Sequence, residues 1–70
     1  MKTAQITIYS VWGTPRRVAD VSYRGHLLAS FDRRHIDPSQ PEIIGLEQAA
    51  RQWAMTSPHA FTTTKTSIQP

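Results

Sequence analysis

PEIIGLEQAARQWAMTSPHAFTTTKTSI, residues 41–68, holds the two patterns that decide the fold. Leu46, Ala49, Ala50, Trp53 and Ala54 recur at i, i+3, i+4, i+7 and i+8, the spacing of one apolar stripe on an α-helix. Ser57-Pro58 ends that pattern, and Phe61 to Ile68 is threonine-rich, β-branched and extended in character. The reading is a helix over about 42–57, with Trp53 as a core anchor, and then a strand over about 61–68. Threonines at both parities and Lys65 at the centre suit an edge strand. Ser39 and Glu42 have capping-box spacing, while Gly45 offers a rival helix start at Leu46. Glu47 and Arg51 stand i, i+4 on the solvent side, and Gln69-Pro70 reads as a frayed end.

Working outward, residues 5–12 alternate Ile6, Ile8, Ser10 and Trp12 against Thr7, Tyr9 and Val11, which is the period of a strand. Gly13-Thr14-Pro15 is turn chemistry. A second strand over 17–23 and a third over 26–31 flank Arg24-Gly25, a hairpin connection. Residues 32–41 are polar and contain Pro38, so they read as a loop. The fold class expected is α+β in the order βββαβ. The sheet is expected to be small and antiparallel, a three-stranded meander plus a C-terminal strand, and one amphipathic helix covers one face. Ala19, Val21, Tyr23, Leu27, Ala29 and Phe31 are expected beneath the helix. The other face would carry Val18, Leu28 and either Tyr9 and Val11 or Ile6, Ile8 and Trp12. An apolar face left open suggests a partner or a homodimer mate, unless loop 32–41 folds over it.

Seventy residues allow a single domain, 1–70, burying roughly 60% of the surface its unfolded chain exposes, so stability is expected to be marginal. There is no cysteine, hence no disulfide and no thiolate metal site. No stretch approaches the ~20 apolar residues of a membrane span, and no basic-then-apolar leader opens the chain. The expected location is the cytoplasm, or a host's cytoplasm if the chain is phage-encoded. A net charge of +3 and a pI of about 10.0 fit nucleic acid or an acidic protein surface.

Catalytic and metal signatures are weak. His35 with Asp37 is the one close pair of ligand character, and Arg33 and Arg34 beside it would repel a cation, so no metal and no cofactor is expected. No nucleophile elbow and no glycine-rich phosphate loop is present. The five acidic residues read as ion-pair partners rather than a tuned acid and base, so no catalytic residue is assigned. The arginines are better placed. In a meander, the first turn and the end of the third strand lie at the same sheet end. Arg16, Arg17, Arg33 and Arg34 are therefore expected to cluster, with Asp20, Asp32 and Asp37 able to relieve their repulsion, and Arg24 stands at the opposite end. Trp12 beside the Gly-Thr-Pro turn is the natural exposed anchor. Trp12, Arg16, Arg17, Arg33, Arg34 and His35 are the candidate binding residues.

Three strands followed by Gly45-Leu-Glu-Gln-Ala-Ala-Arg-Gln-Trp-Ala54 resemble, over residues 26–54, two small-domain patterns. One is the arm-binding domain of phage-type integrases, whose three-stranded sheet enters DNA. The other is the partial ribonuclease-H-like antitoxin module, in which a helix follows a strand ending in an aromatic. The ten-residue loop and the extra last strand depart from the first pattern, and the second normally carries an attached DNA-binding half. No functional residue transfers from either. The function expected is non-catalytic: stoichiometric binding to a larger protein or nucleoprotein complex, in the style of phage or mobile-element inhibitors of host machinery such as anti-CRISPR proteins. The alternative is a basic DNA-binding module using sheet or loop arginines.

Overall fold

The computed structural model describes residues 2–70. Strand β1 (Thr3–Ser10), strand β2 (Arg17–Tyr23) and strand β3 (His26–Phe31) are followed by a 3₁₀ turn at Arg33–His35, helix α1 (Glu42–Thr56) and strand β4 (Thr63–Ile68). The order βββαβ and the single helix on a sheet agree with the sequence reading. The 3₁₀ turn sits inside what reads as plain loop, and β1 lies two residues earlier than its alternation suggests. Trp12 therefore belongs to the turn and not to a strand face.

The sheet runs β3-β2-β1-β4 and is mixed, since β4 pairs parallel to β1 while the meander is antiparallel. The sheet is therefore not antiparallel throughout as its sequence suggests, and the cause is the path of the chain. β3 runs in the direction of β1, and α1 returns the chain to the end where β1 begins. β4 must then start beside Thr3 and run the same way. Gln69, read as frayed, extends this ladder by donating its N–H to the Ile8 carbonyl at 2.8 Å.

Ala4, Ile6 and Ile8 of β1, Ala19 and Val21 of β2, Leu46, Ala50 and Ala54 of α1, and Phe61 form the buried core. Ile6 stands opposite Val21 and Ile8 opposite Ala19. The helical stripe works as its spacing predicts, with Ala49 and Trp53 half-buried at its margins. Helix α1 begins at Glu42 behind Pro41 with no side-chain cap, so neither the Ser39–Glu42 box nor the Leu46 start forms. Ser39 instead donates its N–H and hydroxyl to Asp37 Oδ1, at 2.9 and 2.8 Å. The capping box that does form belongs to the 3₁₀ turn, between Asp32 and His35.

Leu27 is the main error of parity. A bulge follows Val21 on the β2–β3 ladder, so that Val21 pairs with Ala29 but Ser22 pairs with Leu27. One extra residue on β3 flips the alternation. Leu27 is 63% exposed, whereas Leu28 packs against the core. The hairpin turn beside it, Arg24-Gly25, has φ of 51° and 80°, the two left-handed positions of a type I′ turn.

Strand parity gives the open sheet face Thr3, Gln5, Thr7, Asp20, Ser22, Ser30 and Lys65, with Tyr9, Val18 and Leu27 among them. Burial, then the neighbouring Asp20, pushes the Tyr9 hydroxyl above its ordinary pKa. The face is thus more polar than expected. Loop 32–41 does not cover it, because Ile36 packs on the core from the helix side. No helix among the described residues is long and apolar enough to cross a membrane.

Thr66 stands opposite Ile6 on the helix-facing side, and its Oγ1 is buried with no hydrogen-bond partner. A hydroxyl so placed costs about 1–3 kcal/mol of desolvation. Thr66→Val keeps the shape and removes that cost. The urea midpoint should rise by the equivalent of about 1 kcal/mol with the denaturant slope unchanged. A lower midpoint would mean that the hydroxyl is bonded after all.

Candidate functional site

Three chain segments meet at the end of the sheet where β1 and β3 finish and α1 starts. They line a cleft of about 420 Å³ with Pro15, Arg16, Arg17, Asp32, Arg33, Arg34 and Glu42. Arg16 ends the turn after β1. The Val11 N–H donates to the Arg16 carbonyl at 2.9 Å, and the Arg16 N–H donates to Thr14 Oγ1 at 3.2 Å, which holds the turn. Arg17 opens β2 on the helix side, opposite Ser10. Arg33 and Arg34 ride on the 3₁₀ turn that Asp32 caps.

The carboxylates divide the work. Asp32 takes Arg34, whose Nη2 lies 3.0 Å from Oδ2 and whose backbone N–H donates to Oδ1 at 2.9 Å. Glu42 lies between two arginines, its Oε1 3.9 Å from Arg17 Nε and its Oε2 3.6 Å from Arg33 Nη1. As the first residue of α1 it also complements the helix dipole. Among the described residues Arg16 enters no ion pair. The cleft thus sets four guanidiniums against two carboxylates, a formal surplus of two positive charges.

Of the residues singled out in the sequence, Arg16, Arg17, Arg33 and Arg34 line this one cleft. Trp12 is 96% exposed on the same turn as Arg16 but is not part of the lining. His35 also stands outside it. Its Nδ1 accepts the Asp32 N–H at 3.1 Å, and its ring meets Phe31 edge-on at 5.7 Å, so it supports the 3₁₀ turn. The same Nδ1 lies 3.2 Å from Asp32 Oδ1. Asp37 turns to Ser39, which separates the His35–Asp37 pair. Asp20 serves the open face, accepting from Ser30, and leaves the arginines to Asp32 and Glu42. Glu42 is the cleft residue that the sequence reading missed. The signal was there: the first residue of a helix that starts at the sheet end bearing the arginines.

Arg34 holds the Asp32 carboxyl well below the usual carboxylate range, at about 2, first through its side chain and then through its backbone N–H. The depressed value belongs to the folded state. Its contribution to stability is therefore complete above the unfolded pKa near 4 and is lost as pH falls through about 2. Carboxyl carbon shifts followed by NMR should show Asp32 titrating near 2, and Arg34→Ala should bring the midpoint back toward 3.8. A wild-type midpoint near 3.8 would remove the Arg34 contact from the solution structure.

Comparison with protein-family models, curated proteins and solved structures yields no match for this chain.

Proposed function

We propose that the chain acts by stoichiometric binding and not by catalysis, presenting the arginine cleft to an acidic surface of a larger protein or nucleoprotein complex. A small phage or mobile-element inhibitor of host machinery, of the anti-CRISPR kind, would work in this way. The observation that carries the reading is the convergence of Arg16, Arg17, Arg33 and Arg34 from two separate segments on one open cleft, with Trp12 exposed on the adjoining turn. Arginine and tryptophan are the side chains most often found anchoring interfaces. The same charge surplus also supports DNA binding by these arginines. Against that stand Asp32 and Glu42, interleaved among the arginines where a phosphate backbone would run.

Tagged wild-type protein and an Arg16→Glu/Arg33→Glu variant, matched for fold by circular dichroism, test the reading against host extract and random duplex DNA. The expected result is a complex of fixed stoichiometry with wild type, no complex with the variant, and weak duplex binding at physiological salt. A complex that survives the charge reversal overturns the assignment of the surface. Duplex binding that falls with salt at a slope of about −3 or steeper, with no protein partner, replaces the reading with the DNA-binding one.

A further inference from the structure

We infer that the arginine cleft is a binding site for a phosphate monoester dianion, which rests on the reading of that cleft as the binding surface and names the chemistry it selects. The first ground is the supply of unused donors. Among the described residues only Arg34 has a guanidinium that donates hydrogen bonds, to Asp32. Among the described residues Arg16 makes no ion pair. The 3.6 and 3.9 Å approaches of Arg33 and Arg17 to Glu42 are longer than hydrogen bonds. Arg16, Arg17 and Arg33 line the cleft with guanidinium N–H groups that no hydrogen bond uses, and such planar forks match the oxygens of phosphate.

The second ground is charge. A surplus of two positive charges is balanced by one monoester dianion. A phosphodiester or a single carboxylate, each carrying one negative charge, leaves half of it uncompensated. The third ground is size and shape. About 420 Å³ falls in the range of small-ligand sites and leaves room for an organic group beside the phosphoryl oxygens, with Pro15 as the apolar wall. Glu42 then acts as the internal counter-ion. Its carboxylate lies between Arg17 and Arg33 at ion-pair distance, so it holds them together in the free protein and weakens the hold on an incoming anion.

The test is an NMR titration of the intact chain with phenyl phosphate, dimethyl phosphate and acetate at matched ionic strength. Phosphoserine and adenosine 5′-monophosphate serve as arms that separate a phosphorylated side chain from a nucleotide as the natural source. Phenyl phosphate should bind about tenfold more tightly than dimethyl phosphate or acetate, with shifts centred on residues 15–17, 32–34 and 42. Arg16→Gln with Arg33→Gln, both at exposed positions, should lose about tenfold or more, and Glu42→Gln should tighten binding several-fold. Equal affinity for the three anions, shifts mapping elsewhere, or indifference to the paired glutamines would overturn the inference. Loss of a protein partner on charge reversal without any phosphate preference would also sink it, while leaving the binding-surface reading intact. Phosphate selectivity with a partner complex that ignores charge reversal would support the inference and remove the cleft as the partner-binding surface.

Discussion

Ile6→Ala should cost about 3–4 kcal/mol, a third or more of the chain's total stability. Ile6 is fully buried near the middle of β1, opposite Val21 on one side and Thr66 on the other. Truncating a buried isoleucine removes its transfer free energy and leaves a cavity that the flanking strands cannot close, typically 2–5 kcal/mol together. A 70-residue domain has only about 4–10 kcal/mol of total stability from which to lose it. Urea unfolding followed by tryptophan fluorescence measures the effect. A loss under about 1 kcal/mol would mean that β1 is not the spine of the core.

The same experiment reads the bulge in β3. Leu27→Ala is expected to change stability by less than about 0.5 kcal/mol, because the side chain is already largely in solvent. Leu28→Ala should cost more than that, because Leu28 packs against the core. If the order is reversed, β3 runs without its extra residue and strict alternation holds.

Leu27 marks where the sequence stops being legible. Alternation, helical spacing and turn residues are local signals, and they place β2, β3 and the helix to within a residue and β1 and β4 to within two. A bulge is set by how β3 meets β2, and nothing within His26–Phe31 announces an extra residue. The parallel β1–β4 pairing is non-local in the same way. It follows from where α1 deposits the chain, which can be reasoned out only after the helix has been laid across the sheet.

The candidate site divides along the same line. Arg16, Arg17, Arg33 and Arg34 are legible as a cluster because a meander fixes which turns share an end. Glu42 escaped because its role depends on where the helix starts, and Gly45 had left that start ambiguous. His35 adjoins the arginines in sequence alone. Its ring instead turns back on Asp32 and Phe31 and supports the turn that carries them.

Gly45→Val is the substitution expected to damage fold and cleft together. Gly45 is buried in α1, and a Cβ there would lie 3.0 Å from Ile36 Cδ1, 3.2 Å from Ile36 Cβ and 3.3 Å from Gln40 Oε1. Glycine in a helix interior costs up to about 1 kcal/mol in propensity, so alanine would be favoured if space allowed. The Ile36 Cδ1 methyl can swing aside, but Ile36 Cβ moves only with its backbone. Valine adds two more methyl groups to the same contact. Overpacking of this kind costs about 1–3 kcal/mol, well beyond what propensity returns. The displaced segment joins the 3₁₀ turn to α1, so Arg33 and Arg34 should move away from Arg16 and Arg17. Gly45→Val should therefore lower the urea midpoint and weaken phenyl phosphate binding, although no charge has changed. Gly45→Ala should show both effects to a smaller degree. A valine variant with wild-type stability, wild-type amide shifts over residues 33–40 and undiminished anion binding would show that the cleft does not depend on how this loop seats against the helix.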